Sequence, residues 1–162
     1  MNAPDIVSPG DFRAVLGRYA TGVTVVTTRA PGGQPVGLTV NSFTSVSLEP
    51  PLVLFCLDRD AGSLPAFEAA NGFAVNILGV GQEAVSNRFA DPQAAKFAED
   101  GFAEWSTGAP ILADALAALD CGVHARYDGG DHIILVGRVH RLAVLSDGDP
   151  LIYWCGSYRK LT

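Results

Sequence analysis

LDCGVHARY (Leu119–Tyr127), DGGD (Asp128–Asp131) and HIILVGRVHRLAVL (His132–Leu145) follow one another without interruption. Two stretches rich in β-branched and aliphatic residues flank four residues that favour turns, so the segment reads as a long β-hairpin. Gly137 interrupts the second strand, where a glycine marks a bulge or a sharp bend. SDGDP (Ser146–Pro150) then turns the chain into a further strand, Leu151–Cys155.

Upstream, the same β signature recurs in Val23–Thr28 (VTVVTT), in Leu52–Leu57 (LVLFCL) after Pro50-Pro51, and in Phe73–Leu78 (FAVNIL) after Gly72. APGGQP (Ala30–Pro35) returns the first of these into Val36–Val40. Seven candidate strands result, mostly without helices between them. One helix opens the chain: Ser8 can cap it, Pro9 suits its first turn and Asp11 takes the third position. Phe12, Val15, Leu16 and Tyr19 repeat at helical spacing and are expected to form one buried face, with Gly22 ending the helix. Short helices are expected at Leu64–Ala70, Gln82–Phe89 and Gln93–Glu99. The pattern predicts a mainly β fold, an antiparallel barrel with a few peripheral helices, in a single domain spanning 1–162.

The chain has 162 residues, 11 of them Lys or Arg and 17 Asp or Glu, for a net charge of −6. That balance argues against nucleic acid, whose phosphates demand clustered cations. Charged residues make up 17%, below the roughly 25% usual for soluble domains, which suggests that a second subunit or a ligand covers some surface. The uncharged run Ala30–Leu48 is broken by prolines and glycines, so no membrane span is expected. MNAPDIVSPGDF lacks the basic and apolar regions of a signal peptide. Cys56, Cys121 and Cys155 each sit in an apolar run without metal-ligand spacing and are expected to be small core residues. A cytoplasmic protein without a metal is the expectation.

Gly79-Val80-Gly81-Gln82-Glu83-Ala84 matches the dinucleotide fingerprint G-x-G-x-x-A between a strand and a helix, with Glu99-Asp100 about 20 residues on. A Rossmann unit needs a second parallel strand before that acid, and ADPQAAKFAEDGF (Ala90–Phe102) contains none. The segment reads as a plain strand-to-helix turn. Gly37–Ser47 (GLTVNSFTSVS) is more informative: five hydroxyls and one amide crowd it, and no charge does. Neutral donors of this kind suit a heteroaromatic ligand with carbonyl and ring-nitrogen edges, or a phosphate. A Ser/Thr-rich edge strand and loop would have the same composition.

GLTVNSFTSVSLEPPLVLFCLDR (Gly37–Arg59) resembles the flavin reductase-like family, the small reductase components of two-component flavin-dependent monooxygenases. ATGVTVVTT (Ala20–Thr28), FAVNIL, SNRFA (Ser86–Ala90), GDHIILVGRV (Gly130–Val139) and PLIYWCGSYRKL (Pro150–Leu161) match in the same order. The resemblance runs from Phe12 to Leu161. It implies a split, Greek-key-like β-barrel that binds FMN or FAD, uses NADH or NADPH, and works as a homodimer. The expected reaction is hydride transfer from the nicotinamide to the flavin, with reduced flavin passing to a separate oxygenase, by diffusion alone if need be. A non-enzymatic flavin-binding or redox-sensing module is the alternative on the same barrel, and an oxidase of the pyridoxamine phosphate kind a further one.

The resemblance also implies site residues. Thr39, Val40, Asn41 and Ser42 match positions along the isoalloxazine and ribityl groups, and Ser45 and Ser47 add polar contacts. Cys56, Leu57 and Asp58 match a segment that runs beside the flavin largely through its backbone. Ser63, with Arg59 and Arg88, resembles a phosphate-recognition set; Ser63 would equally cap the helix that follows, and the two roles are compatible. Arg88 and Phe89 of SNRFA are flavin candidates too, with a solvated charge and a core aromatic as the plain reading. His132 in Gly130-Asp131-His132 matches the nicotinamide signature and is the side chain given a catalytic part, positioning the nucleotide rather than acting as an obligatory acid. Tyr153, Trp154, Cys155, Gly156 and Tyr158 match the terminal segment on that side of the flavin.

Overall fold

A computed structural model describes residues 6–97 and 101–162. Seven strands form one antiparallel sheet: β2 (Thr24–Arg29), β3 (Pro35–Val40), β4 (Thr44–Ser47), β5 (Leu52–Asp58), β6 (Gly72–Ile77), β9 (Ala117–Gly129) and β10 (His132–Val144). Their order is β3-β2-β6-β9-β10-β5-β4. The β9–β10 hairpin organises it. β6 pairs with the first half of β9, from Gly72 opposite Gly122 to Ile77 opposite Ala117. β5 pairs with the first half of β10, from His132 opposite Asp58 to Arg138 opposite Leu52. The two wings of the sheet therefore leave opposite ends of one hairpin.

The register of that hairpin slips at Val136/Gly137, the bulge expected of Gly137. A Cβ there would stand 2.4 Å from Phe73 Cζ, so only glycine lets β10 cross the core. Both wings pack on one cluster: Val26 and Val40 from one side meet Val53, Phe55 and Leu57 from the other, around Phe73 and Leu135. Phe55 takes Phe67 and Phe73 edge-on at centroid distances of 5.6 and 5.1 Å, the arrangement aromatic quadrupoles favour. β3 and β4, the outer strands, share no ladder pairing among the described residues. The sheet is curled and its edges are not hydrogen-bonded together.

β2 is buried on both faces, which explains its run of threonines. Thr24, Thr27 and Thr28 each donate a hydroxyl to a carbonyl, of Val40, Pro110 and Gly72, at 3.0, 2.6 and 2.8 Å. Buried hydroxyls need such partners. On the outer face Val25 joins Leu78, Leu112 and Leu151 beneath α3 (Glu83–Ala90). Asp120, also fully buried, accepts the Thr107 N–H and hydroxyl.

Five short strands fall outside the seven expected. β4 is one; β1 (Thr21–Gly22), β7 (Phe102–Glu104), β8 (Pro110–Leu112) and β12 (Ser157–Arg159) are the others. The last expected strand is Ile152–Trp154, β11, which stands between β1 and β12 in a separate three-stranded sheet. The opening helix α1 is Pro9–Leu16, capped by Ser8, whose hydroxyl accepts the Asp11 N–H. It ends at Gly17 rather than Gly22, which lies in β1. Its expected buried face is open: Phe12, Val15, Leu16 and Tyr19 are 58, 69, 49 and 74% exposed. The 3.6-residue period marks an apolar face, and nothing among the described residues covers it.

Helix α2 is Leu64–Ala69. Ser63 stands at its N-cap position but its side chain makes no capping hydrogen bond. No helix forms over Gln93–Phe97, and Ala98–Asp100, with the rest of that expected helix and the Glu99-Asp100 pair, lie outside the described residues, as do Met1–Asp5. Gly79–Gln82 is a strand-to-helix turn whose Gly79 N–H is held by Gln82 Oε1 at 2.8 Å. Of the cysteines only Cys121 is buried; Cys56 is half-buried and Cys155 exposed. No helix among the described residues is long and apolar enough to cross a membrane.

Candidate active site

A cleft of about 1190 Å³ opens where the β3–β4 turn, β5, β1 and the β11–β12 hairpin converge. Asn41, Ser42, Phe43 and Thr44 line one wall with Cys56, and Tyr153–Gly156 line another. Alternation along β5 decides what faces the cleft: Cys56 does, while Leu57 is fully buried in the core. Only the backbone of Leu57 remains for a ligand. Ser42 fixes the β3–β4 turn. Its hydroxyl accepts the Cys56 N–H at 2.9 Å and lies 3.3 Å from the Cys56 carbonyl, to which it donates.

The C-terminal wall is set by a tight hairpin. Trp154 pairs with Ser157, and the two residues between, Cys155 and Gly156, have φ of 49° and 75°. Two left-handed residues are what a two-residue loop of matching twist requires. The hairpin is fastened to the end of α1: the Cys155 N–H donates to the Gly17 carbonyl at 2.9 Å and Trp154 Nε1 to the Arg18 carbonyl at 3.1 Å. Tyr158 turns away from the cleft, its hydroxyl 2.6 Å from Ser86 Oγ and donating to Asn87 Oδ1 at 2.9 Å.

The cleft is mostly apolar, with Phe12, Leu16, Tyr19, Ile77 and Trp154 on its walls and Arg13 as the one charged residue lining it among the described residues. Thr21 also lines it, and its buried Oγ1 has no hydrogen-bond partner among the described residues. An orphaned hydroxyl costs about 1–3 kcal/mol, so it marks a place for a polar group beyond the described residues. Apolar walls with a few neutral donors suit a flat heteroaromatic ring. The residues present fit a flavin ring. Thr21 stands in ATGVTVVTT, yet nothing in that motif distinguished its hydroxyl from the buried ones of β2.

The other expected residues lie off the cleft lining or at its margin. Val40 and Phe89 are buried in the core, Phe89 edge-on to Phe97 at 5.1 Å. Thr39 donates its hydroxyl to the Ser86 carbonyl at 2.6 Å, and Arg88 donates Nε to the Lys96 carbonyl at 3.2 Å. Ser45 is exposed and Ser47 half-buried on β4, near the cleft rather than lining it. His132 stands at the hairpin end of β10, opposite Asp58 and two residues before Ile134, the partner of Cys56. It does not line the cleft. Its Nδ1 is 2.7 Å from Asp131 Oδ1, a hydrogen bond that, with the neighbouring imidazole charge, lowers the Asp131 carboxyl below the ordinary carboxylate value. Asp58, Arg59 and Ser63 continue from the end of β5 toward α2, with Arg59 reaching the β9–β10 turn.

Residues 16–162 match the flavin reductase like domain. The reductase subunit HsaB of a flavin-dependent monooxygenase from Rhodococcus jostii is 41% identical over 156 residues, covering 96% of this chain and 80% of that one. A flavin reductase from Pseudomonas putida is 43% identical over 152 residues, covering 94% and 89%. Among solved structures, the Streptomyces globisporus NADH:FAD oxidoreductase SgcE6, in complex with NAD and FAD fragments, superposes with a TM-score of 0.89 at 39% identity. That match covers 98% of this chain and 97% of the other. The chain belongs to the flavin reductase-like family.

Proposed function

We propose that this protein is an NAD(P)H-dependent flavin reductase that reduces free FMN or FAD and supplies a separate flavin-dependent oxygenase. The observation that carries the reading is the cleft itself, in which the Asn41–Thr44 turn, Cys56, the orphaned Thr21 hydroxyl and Tyr153–Gly156 meet. Flavin supplies the redox chemistry when bound, accepting hydride from the nicotinamide. The chain's own part is to bind, orient and shield. Asn41 and Thr21 would address the polar edge of the ring, Ser42 would hold the turn that carries Asn41, the Cys56–Asp58 backbone would run beside the ring, and Tyr153 and Trp154 would cover it. Ser45, Ser47 and Ser63 serve the chain beyond the ring. His132 positions the nucleotide, so no nucleophile or acid–base pair is needed.

The same reading takes residues 1–162 as one domain whose curled sheet is a split β-barrel, both wings of it packing on one core. It also takes the protein as a homodimer. Phe12, Leu16 and Tyr19 both line the cleft and stand exposed, and a second copy would cover the α1 stripe and wall the cleft. Unpaired thiols and a reaction that consumes reduced nicotinamide suit a cytoplasmic protein. The test is to mix the protein with NADH or NADPH and each free flavin and follow the nicotinamide absorbance. Oxidation that depends on added flavin is expected. Flavin binding without oxidation of either nucleotide would replace the reductase by a flavin-binding module.

A further inference from the structure

The tip of the β9–β10 hairpin is a surface turn: Asp128, Gly129, Gly130 and Asp131 are all exposed. Gly130 sits at φ 75°, and two adjacent glycines leave such a turn conformationally loose. One residue ties it down in three places. The Arg59 N–H donates to the Asp131 carbonyl at 3.0 Å, Arg59 Nε donates to the Gly130 carbonyl at 2.9 Å, and Arg59 Nη2 pairs with the Asp128 carboxylate. Arg59 follows Asp58, the residue opposite His132 in the ladder.

We propose that Arg59 is a positioning residue that clamps the 128–131 turn to the end of β5 and so sets where the His132 imidazole stands at the hairpin end of β10. The inference rests on the nucleotide role proposed for His132. It gives Arg59 a different part from the phosphate recognition that its resemblance implies. A guanidinium presents its donors as a rigid planar fork, so a carbonyl and a carboxylate on one turn are held at a fixed mutual distance. Nε and Nη2 both face the turn. The same turn carries Asp131, whose Oδ1 meets His132 Nδ1, so a displaced turn carries the imidazole with it. An exposed ion pair contributes little to folding, which puts the effect on placement and not on stability.

Arg59→Ala, Arg59→Lys, His132→Ala and the Arg59→Ala/His132→Ala double variant are compared in steady-state nicotinamide oxidation, with FMN and with riboflavin, which lacks the phosphate. Arg59→Ala is expected to raise the nucleotide KM about 3- to 10-fold, the effect of one or two lost hydrogen bonds. The preference for FMN over riboflavin should not change. In the His132→Ala background the same substitution should add less than about 2-fold, because the two act through one element. Arg59→Lys should restore only part of the loss, since it lacks the fork. Loss of the FMN preference would make Arg59 a phosphate ligand and overturn the proposal, and so would effects that multiply in the double variant. A His132→Ala variant with unchanged nucleotide KM overturns the nucleotide role of His132 and this proposal together, while flavin reduction itself stands. If Arg59→Ala fails to fold, Asp128→Asn removes only the anionic anchor. It should raise the nucleotide KM by about 2-fold or more, and no change would overturn the clamp.

Discussion

The Ser42 hydroxyl bonds both the N–H and the carbonyl of Cys56. Two residues on, Thr44 pairs with Leu54 through backbone alone. A side chain thus continues a ladder that the backbone has left, and it does so at the wall of the cleft. Ser42→Ala should strip the Cys56 N–H of its partner, lowering stability by about 1 kcal/mol in urea unfolding. Flavin affinity should fall about 3- to 10-fold as the turn loosens. Loss of stability with unchanged flavin affinity would show that the turn does not shape the binding wall.

Gly137→Ala tests the crossing of β10 over the core. The new Cβ would lie 2.4 Å from Phe73 Cζ and 2.9 Å from Cys121 Cβ, and Phe73 is fully buried. Overpacking of this kind costs about 1–3 kcal/mol. Gly62→Ala is the control, since a Cβ there meets nothing within 4 Å. It should change stability by less than about 0.5 kcal/mol. Equal effects in chemical denaturation would contradict the packing account.

The three cysteines should separate in a thiol titration with an aromatic disulfide reagent. Cys155 is exposed and should react first; Cys56 lines the cleft and should react more slowly, and more slowly again when FMN is added. Cys121 should react only on unfolding. Burial, reinforced by the neighbouring Asp120 charge, pushes its thiol up to about 12, and the thiolate is the reactive form. A Cys56 rate indifferent to saturating FMN would place the flavin elsewhere.

The terminal hairpin gives a fourth expectation. Gly156→Ala puts a side chain at φ 75° and should destabilise by about 1 kcal/mol. Cys155→Gly relieves a left-handed non-glycine residue and should leave stability unchanged or slightly higher. Thermal unfolding of both variants checks the order.

How much of this was legible in the residues depends on the interaction concerned. DGGD between two long β runs announced the central hairpin, because turn chemistry and strand propensity are both local. Thr44–Ser47 did not announce β4: four residues of mixed polarity look like the loop on either side, and pairing with β5 decides them. The α1 stripe was legible as a period but not as a burial, since helical spacing does not say which surface completes it. Asn41, Ser42, Cys56 and Tyr153–Gly156, which line the cleft, all stand in motifs that carry the resemblance. Thr21 was not singled out, because its distinction is an unmet hydrogen bond, and that exists only after folding. The contacts of Arg59 to the β9–β10 turn were not legible, because that turn lies about 70 residues away in sequence.

The central claim is that the flavin lies in the cleft between the Asn41–Thr44 turn and the Tyr153–Gly156 hairpin, and a crystal structure of the protein with FMN tests it directly. The isoalloxazine is expected against Cys56, with a polar ring atom within hydrogen-bond distance of Thr21 Oγ1 and the His132 side of the ring open to a nucleotide. Flavin density beside α3 and Arg88, with the cleft holding only water, would contradict the account.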